Sequence, residues 1–303
     1  MERKIAVTQV NASGSHLGYL GCLHDTGSAV FACGGTYHKA TILRSDDRGA
    51  SWRVMPKVSV GGLREMLQVG DRLFVVGETG YIGVSTDGAE TFTNLTTGTS
   101  ACLYRITQHD GKLWVCADGG LLLMSSDGGR TFQKVQTTGS GRILDIFVVD
   151  GTLFFLDTTG MIFKHTGETW EPLSLRAKRP LTQMIVTAKG TWLATGDAGG
   201  IFRSTDKGFS WKVIDPGSKS DLEAVIEHRG LIIAIGDAGA VLISEDDGAS
   251  FAPEKTSMTG HLWSLAAIDN TLVIGGEAGA IWRMVVETGT QPVAGVPFIP
   301  INL

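Results

Sequence analysis

No stretch of this chain approaches the ~20 consecutive apolar residues that a membrane-spanning helix requires, and the opening MERKIAVTQVNASG lacks the apolar run of a secretory leader. The expectation is a protein without membrane insertion, cytoplasmic if the chain is complete and exported if a leader was removed. Sustained helical periodicity is also absent: no segment keeps an apolar face over three turns. Basic residues are few and dispersed, 26 Lys and Arg against 31 Asp and Glu, for a formal charge of −5. That excludes the basic stripe of a nucleic-acid-binding protein. Cysteine is scarce. Cys22, Cys33, Cys102 and Cys116 lack metal-ligand spacing, so buried free thiols are expected, with a Cys22–Cys33 bridge as the alternative in an exported protein. No metal and no cofactor are expected.

What the chain does have is repetition. The signatures SDDRGASW, STDGAETF, SSDGGRTF, STDKGFSW and SEDDGASF begin at Ser45, Ser85, Ser125, Ser204 and Ser244, in steps of 40, 40, 79 and 40 residues. The long step holds two units. One of them is degenerate: ILDIFVV, TLFFLDTTG and MIFKH lead to GETW, ending at Trp170, with the signature shortened by two residues. A last unit, HLWSLAAI then TLVIGGEAGAIWRM, stops at Met284 without a signature. The register Ser45, Ser85, Ser125, His165, Ser204, Ser244, Met284 therefore counts seven units.

Each unit reads as four short strands rich in β-branched and aromatic residues, separated by Gly, Asp and Ser. Seven such units predict a single all-β domain over residues 1–303, a seven-bladed β-propeller of four-stranded antiparallel blades, with the signature between third and fourth strands. The seventh unit lacks an outer strand. KIAVTQV at 4–10 is expected to supply it, within a ring-closing segment 1–15 that precedes the repeats at 18–284. The tail 292–303, with three prolines, is the rival, and otherwise a strap or a docking peptide.

The signature Ser-x-Asp-x-Gly-x-Thr/Ser-Trp/Phe resembles the Asp-box, or BNR repeat, of sialidases, sortilin-type receptors, xyloglucanases and photosystem II assembly-factor propellers, over residues 19–284. The resemblance implies an architectural role for Ser45, Asp47, Ser85, Asp87, Ser125, Asp127, Ser204, Asp206, Ser244 and Asp246. These aspartates are expected about one blade apart, too dispersed to share a catalytic centre. Tyr104-Arg105-Ile106-Thr107 is similar to the Phe/Tyr-Arg-Ile-Pro motif of sialidases, but departs at Thr107 and lies in the third unit, and a third arginine for a substrate carboxylate is missing. The single-domain assembly-factor propellers are the nearest resemblance. Their basic patch has no counterpart here, so photosystem assembly is not implied.

Aligned units put Gly21, Arg64, Tyr104, Leu144, Gln183, Glu223 and Trp263 at one register of the innermost strands. Cys22, Glu65, Arg105, Asp145, Met184, Ala224 and Ser264 occupy the next. Turns between second and third strands add Glu78, Asp118, Asp197, Asp237 and Glu277 as an acidic collar. The candidate partner-binding set is Arg64, Glu65, Tyr104, Arg105, Asp145, Glu223 and Trp263, because Trp, Tyr and Arg anchor binding sites and acids steer basic partners. The expected function is a non-catalytic protein-binding or assembly scaffold using one face. The alternative is glycan binding or sialidase-like hydrolysis in the channel, with Trp263 and Tyr104 as stacking platforms.

Overall fold

Runs such as LREMLQV, RLFVVG and IGVS extend because their β-branched and apolar residues suit a pleated, half-buried surface, and a Gly- or Asp-containing turn ends each one. In the computed structural model, which describes residues 4–10, 17–56, 58 and 60–287, these runs form seven four-stranded antiparallel sheets. The protein is a seven-bladed β-propeller. Blade 2 is representative, with strands Leu63–Val69, Arg72–Gly77, Ile82–Ser85 and Thr93–Leu95 in order from inside outwards. The innermost strands of blades 1 to 7 are Tyr19–Asp25, Leu63–Val69, Leu103–His109, Ile143–Val149, Leu181–Val186, Leu222–His228 and Leu262–Ile268, and each meets its neighbours around a central channel.

The core lies between blades. Second strands are buried on both faces, as in Leu231–Gly236, where every residue is buried. One cluster joins Phe74, Val76 and Ile82 of blade 2 to Leu103, Ile106 and Val115 of blade 3. Burying a side chain such as Phe74 is worth about 2–3 kcal/mol. No blade can keep that contribution without its neighbour.

Blade 7 takes its outermost strand from the start of the chain. Lys4–Val10 pairs antiparallel with Ile281–Glu287, from Lys4 opposite Glu287 to Val10 opposite Ile281. The segment 11–15 and the tail 292–303 lie outside the described residues. All four cysteines are buried and free; Cys22 and Cys33 face each other across adjacent strands of blade 1 without a bridge.

The five signature turns share one hydrogen-bonded cage. The serine Oγ donates to the aspartate Oδ1 at 2.7–2.8 Å and accepts the N–H four residues on at 2.7–2.9 Å. The same aspartate accepts the N–H and the hydroxyl of the residue four beyond it, Ser51, Thr91, Thr131, Ser210 or Ser250. Two consecutive residues with positive φ make the bend, for example Arg48 at 58° and Gly49 at 85°. Glycine adopts that conformation without the Cβ clash. Blade 4 has no cage: Thr166 N–H donates to the Thr169 carbonyl at 2.9 Å and closes a tight hairpin.

These donors favour the charged carboxylate. Hydroxyl and N–H donors hold Asp47, Asp87 and Asp206 at about 2 and Asp127 lower still, while at Asp246 burial opposes the donors and they prevail, again at about 2. A folded-state value below the unfolded one gives stability that is present at neutral pH and lost as pH falls from about 4 towards 2. The melting temperature is expected to fall through that window. Asp47→Asn combined with Asp246→Asn should lower it at pH 7 and shrink the acid-induced fall, measured by calorimetry. Deleting residues 1–10 bares the Ile281–Glu287 edge, and size-exclusion chromatography is expected to show concentration-dependent self-association.

Candidate functional site at the channel mouth

Every innermost strand carries a β-bulge near its start, seen as a register shift such as that between Leu63 and Glu65 or between Leu262 and Ser264. A bulge sets two residues against one and re-aims side chains. The bulged residues are Gly21, Arg64, Tyr104, Leu144, Thr182, Glu223 and Trp263, and all line a cavity of about 460 Å³ at the channel mouth. Blade 5 corrects the sequence alignment. Thr182, not Gln183, holds the bulge, and Gln183 takes the next register in place of Met184, because the hairpin that follows this strand is one residue longer than in the other units: Gln183 pairs with Thr195, whereas Glu65 pairs with Val76.

Below the mouth the next register knits blades together. Cys22 Sγ donates to Glu65 Oε1 at 2.9 Å, and Arg105 Nη1 donates to Glu65 Oε2 at 2.6 Å. Arg105 Nε also faces Asp145 Oδ1 at 3.8 Å, and Asp145 Oδ2 accepts Met184 N–H of blade 5. Gln183 Oε1 accepts Val225 N–H of blade 6, and Ser264 Oγ donates to the Leu20 carbonyl of blade 1. Glu65, Arg105 and Asp145 are thus turned to one another as a belt, although Arg105 also lines the cavity. Burial pushes Asp145 up to about 6, against the pull of Arg105. Burial depresses Arg105, but the Glu65 and Asp145 charges outweigh it and hold the guanidinium charged. Asp145 therefore opposes the signature turns: the stability it gains by protonation is lost as pH rises from about 4 to 6.

At the mouth itself an aromatic and cationic ladder crosses the blades. His261 stacks on Trp263 at 3.7 Å and 9°, Trp263 meets Tyr19 at 5.8 Å, and the Arg64 guanidinium lies over Tyr19 at 4.9 Å and Tyr104 at 5.8 Å. Two donors in this ladder, Arg64 Nε and Trp263 Nε1, are buried without an acceptor.

The collar divides into two sides. On blades 2 to 4 its acids are paired: Glu78 with Arg64 at 2.5 Å, and Asp118 with the Tyr104 hydroxyl at 2.9 Å and Arg142 at 3.8 Å. On blades 5 to 7 acid is in excess. Asp197, Asp221, Glu223, Asp237 and Glu277 stand there with His261 and Arg179, and Arg179 Nη1 bonds the carbonyl oxygens of Asp197 and Ala198. Burial, then the Asp221 and Glu223 charges, raise Asp197 above the ordinary carboxylate value. His261 is also raised: burial lowers it, but Glu223 at 3.0 Å and the Asp237 and Glu277 charges outweigh that.

Tyr19, Arg142, Asp221 and His261 were missed by the sequence reading. All four stand two residues before the bulge, so alternation along each strand returns them to the same face. The alignment that found the bulge register holds them two columns earlier. Tyr37, 75% exposed, lies in the second-to-third turn of blade 1, whose wording differs from the other turns.

Comparison with known proteins gives a fold and little more. Residues 59–180, the stretch holding blades 2 to 4, match the model of the DUF6242 beta propeller domain. No curated protein sequence matches. Among solved structures, YCF48 bound to D1 peptide superposes with a TM-score of 0.76 at 18% identity, covering 95% of this chain and 97% of that one. YCF48 from Cyanidioschyzon merolae gives 0.73 at 14%, covering 92% and 98%. Virginiamycin B lyase from Staphylococcus aureus gives 0.77 at 12%, covering 94% and 99%. Likeness at these identities is likeness of fold. A peptide-bound protein and a lyase superpose about equally well.

Among the described residues no cluster of three or more His, Cys, Asp or Glu is placed to hold a metal ion. Among the described residues no helix is long and apolar enough to cross a membrane.

Replacing Arg105 by Met leaves the Glu65 and Asp145 carboxylates facing each other, partly buried and uncompensated. Urea denaturation is expected to show a loss of about 3 kcal/mol. The triple variant Glu65→Gln/Arg105→Met/Asp145→Asn should recover most of it.

Proposed function

We propose that this propeller is a non-catalytic platform that binds a positively charged segment of another protein across the channel mouth. The observation that carries the reading is the uneven collar: carboxylates are matched by cations on blades 2 to 4 and outnumber them on blades 5 to 7. Such a field draws a basic partner and sets its orientation. Trp263 and Tyr19 line the cavity beside it, held in place by His261 and Arg64. A closed ring loses little entropy when it binds, since its surface is already ordered. The likeness to YCF48 bound to D1 peptide supports peptide binding by a propeller of this shape. In the same reading the signature turns are Asp boxes with an architectural role, each aspartate spent on its own turn.

Glycan binding at Trp263 and Tyr104 is the competing outcome. Tyr104 donates its hydroxyl to Asp118 and its face to Arg64, and Trp263 is already stacked on His261, which leaves neither ring free as a platform.

The test is fluorescence anisotropy with a library of lysine- and arginine-rich peptides, beside a glycan array. Peptide affinity that falls with added salt, and weakens about tenfold or more in Asp197→Asn/Asp221→Asn, supports the platform. Affinity indifferent to those substitutions, or a glycan hit abolished by Trp263→Ala with no peptide bound, sinks it.

A further inference from the structure

On the face opposite the channel mouth, the fourth residue of every signature reaches back to the preceding blade. Arg48 of blade 1 pairs with Asp269 of blade 7 at 3.1 Å. The carbonyls of Gly88 and Gly128 accept from Arg44 of blade 1 and Arg72 of blade 2. Lys207 of blade 5 pairs with Asp150 of blade 4 at 2.8 Å. Asp247 of blade 6 accepts from Thr187, Thr191 and Arg203 of blade 5. Each turn thus supplies the group that the blade behind it lacks.

Between blades 3 and 4 nothing does so, because the short hairpin of blade 4 has no such residue. In its place is a cavity of about 290 Å³ lined by His109, Lys112, Trp114, Thr152 and His165, with exposed Asp110 as the one acid in its wall. Lys112 opens its strand as Arg72 opens the strand of blade 2, but no acceptor is found for its ammonium among the described residues. Trp114 is 5% exposed, and its indole N–H is buried without an acceptor. By contrast Trp52 and Trp211 donate theirs to the carbonyls of Gly49 and Gly208 in their own signature turns. The Trp114 ring is held by His165 at 5.6 Å and Trp170 at 6.2 Å, so an ordered wall stands where the missing turn would have lain. Burial, and then the nearby His109 and Lys112 charges, lower His165.

We propose that this cavity binds a small oxyanion, a carboxylate or phosphate group, which supplies the acceptor that Asp247 supplies between blades 5 and 6. The chemistry is that of Lys112, His109 and His165 lining one vacancy between blades, with the Trp114 indole in its wall, and it is independent of the channel-mouth reading.

The test is titration of ¹⁵N-labelled protein with inorganic phosphate and, separately, with succinate. The readout is the Trp114 indole N–H resonance, assigned by its loss in Trp114→Phe. Saturable movement with either probe, weakened about tenfold in Lys112→Met, is the expected result. The probe that moves it tells phosphate from carboxylate, and unmoved indole signals of the other tryptophans report an intact fold. Neither probe moving the resonance overturns the proposal. So does movement that is undiminished in both Lys112→Met and His165→Gln.

Discussion

Closure of the ring is the constraint on which the rest depends. A four-stranded blade buries its second strand on both faces only when a neighbour stands on each side, and the last blade has a neighbour only if the circle shuts. The pairing of Lys4–Val10 with Ile281–Glu287 shuts it with residues from opposite ends of the chain. It also removes the bare edge of the third strand of blade 7, which would otherwise be a template for pairing with another molecule. The inter-blade clusters, the belt of side chains in the channel and the order of the mouth all presuppose it.

The two faces use the repeat differently. On one, each signature aspartate is satisfied by its own turn, and the variable fourth residue ties the turn to the blade behind. On the other, a bulge at the same place in every innermost strand presents seven positions with no role in the sheet. There the sequence varies freely from Gly21 to Trp263. Repetition makes a rigid frame, and variation at the bulges makes the surface particular. Blade 4 breaks the pattern on the signature face alone, where a lost turn leaves donors with nothing to bind.

Structure separates what sequence grouped together. Arg64, Tyr104, Glu223 and Trp263 stand at the mouth. Glu65 and Asp145 sit one register deeper, and Arg105 between them is engaged by both. Adjacent residues in one strand ordinarily point to opposite faces, and only the bulge brings both to the channel at different depths. A ring of charge read from sequence is therefore two layers, a structural belt and a mouth with an acidic excess on one side.

Blade number, strand order within each blade and the place of the signature turns were legible in the chain, because each is set by local rules. Gly and Asp end strands, β-branched residues extend them, and a period near 40 repeats the unit. The acidic collar was legible as well, since its turns are written almost alike. Which of those acids is neutralised was not: Glu78 meets Arg64 fourteen residues away, whereas Asp197 is crowded by Asp221 and Glu223. The contacts that Tyr19 and His261 make across blades, and the cavity beside Trp114, belong to tertiary structure alone. Each depends on how one blade stands against the next, and that distance is set by packing across the ring instead of by neighbours in sequence.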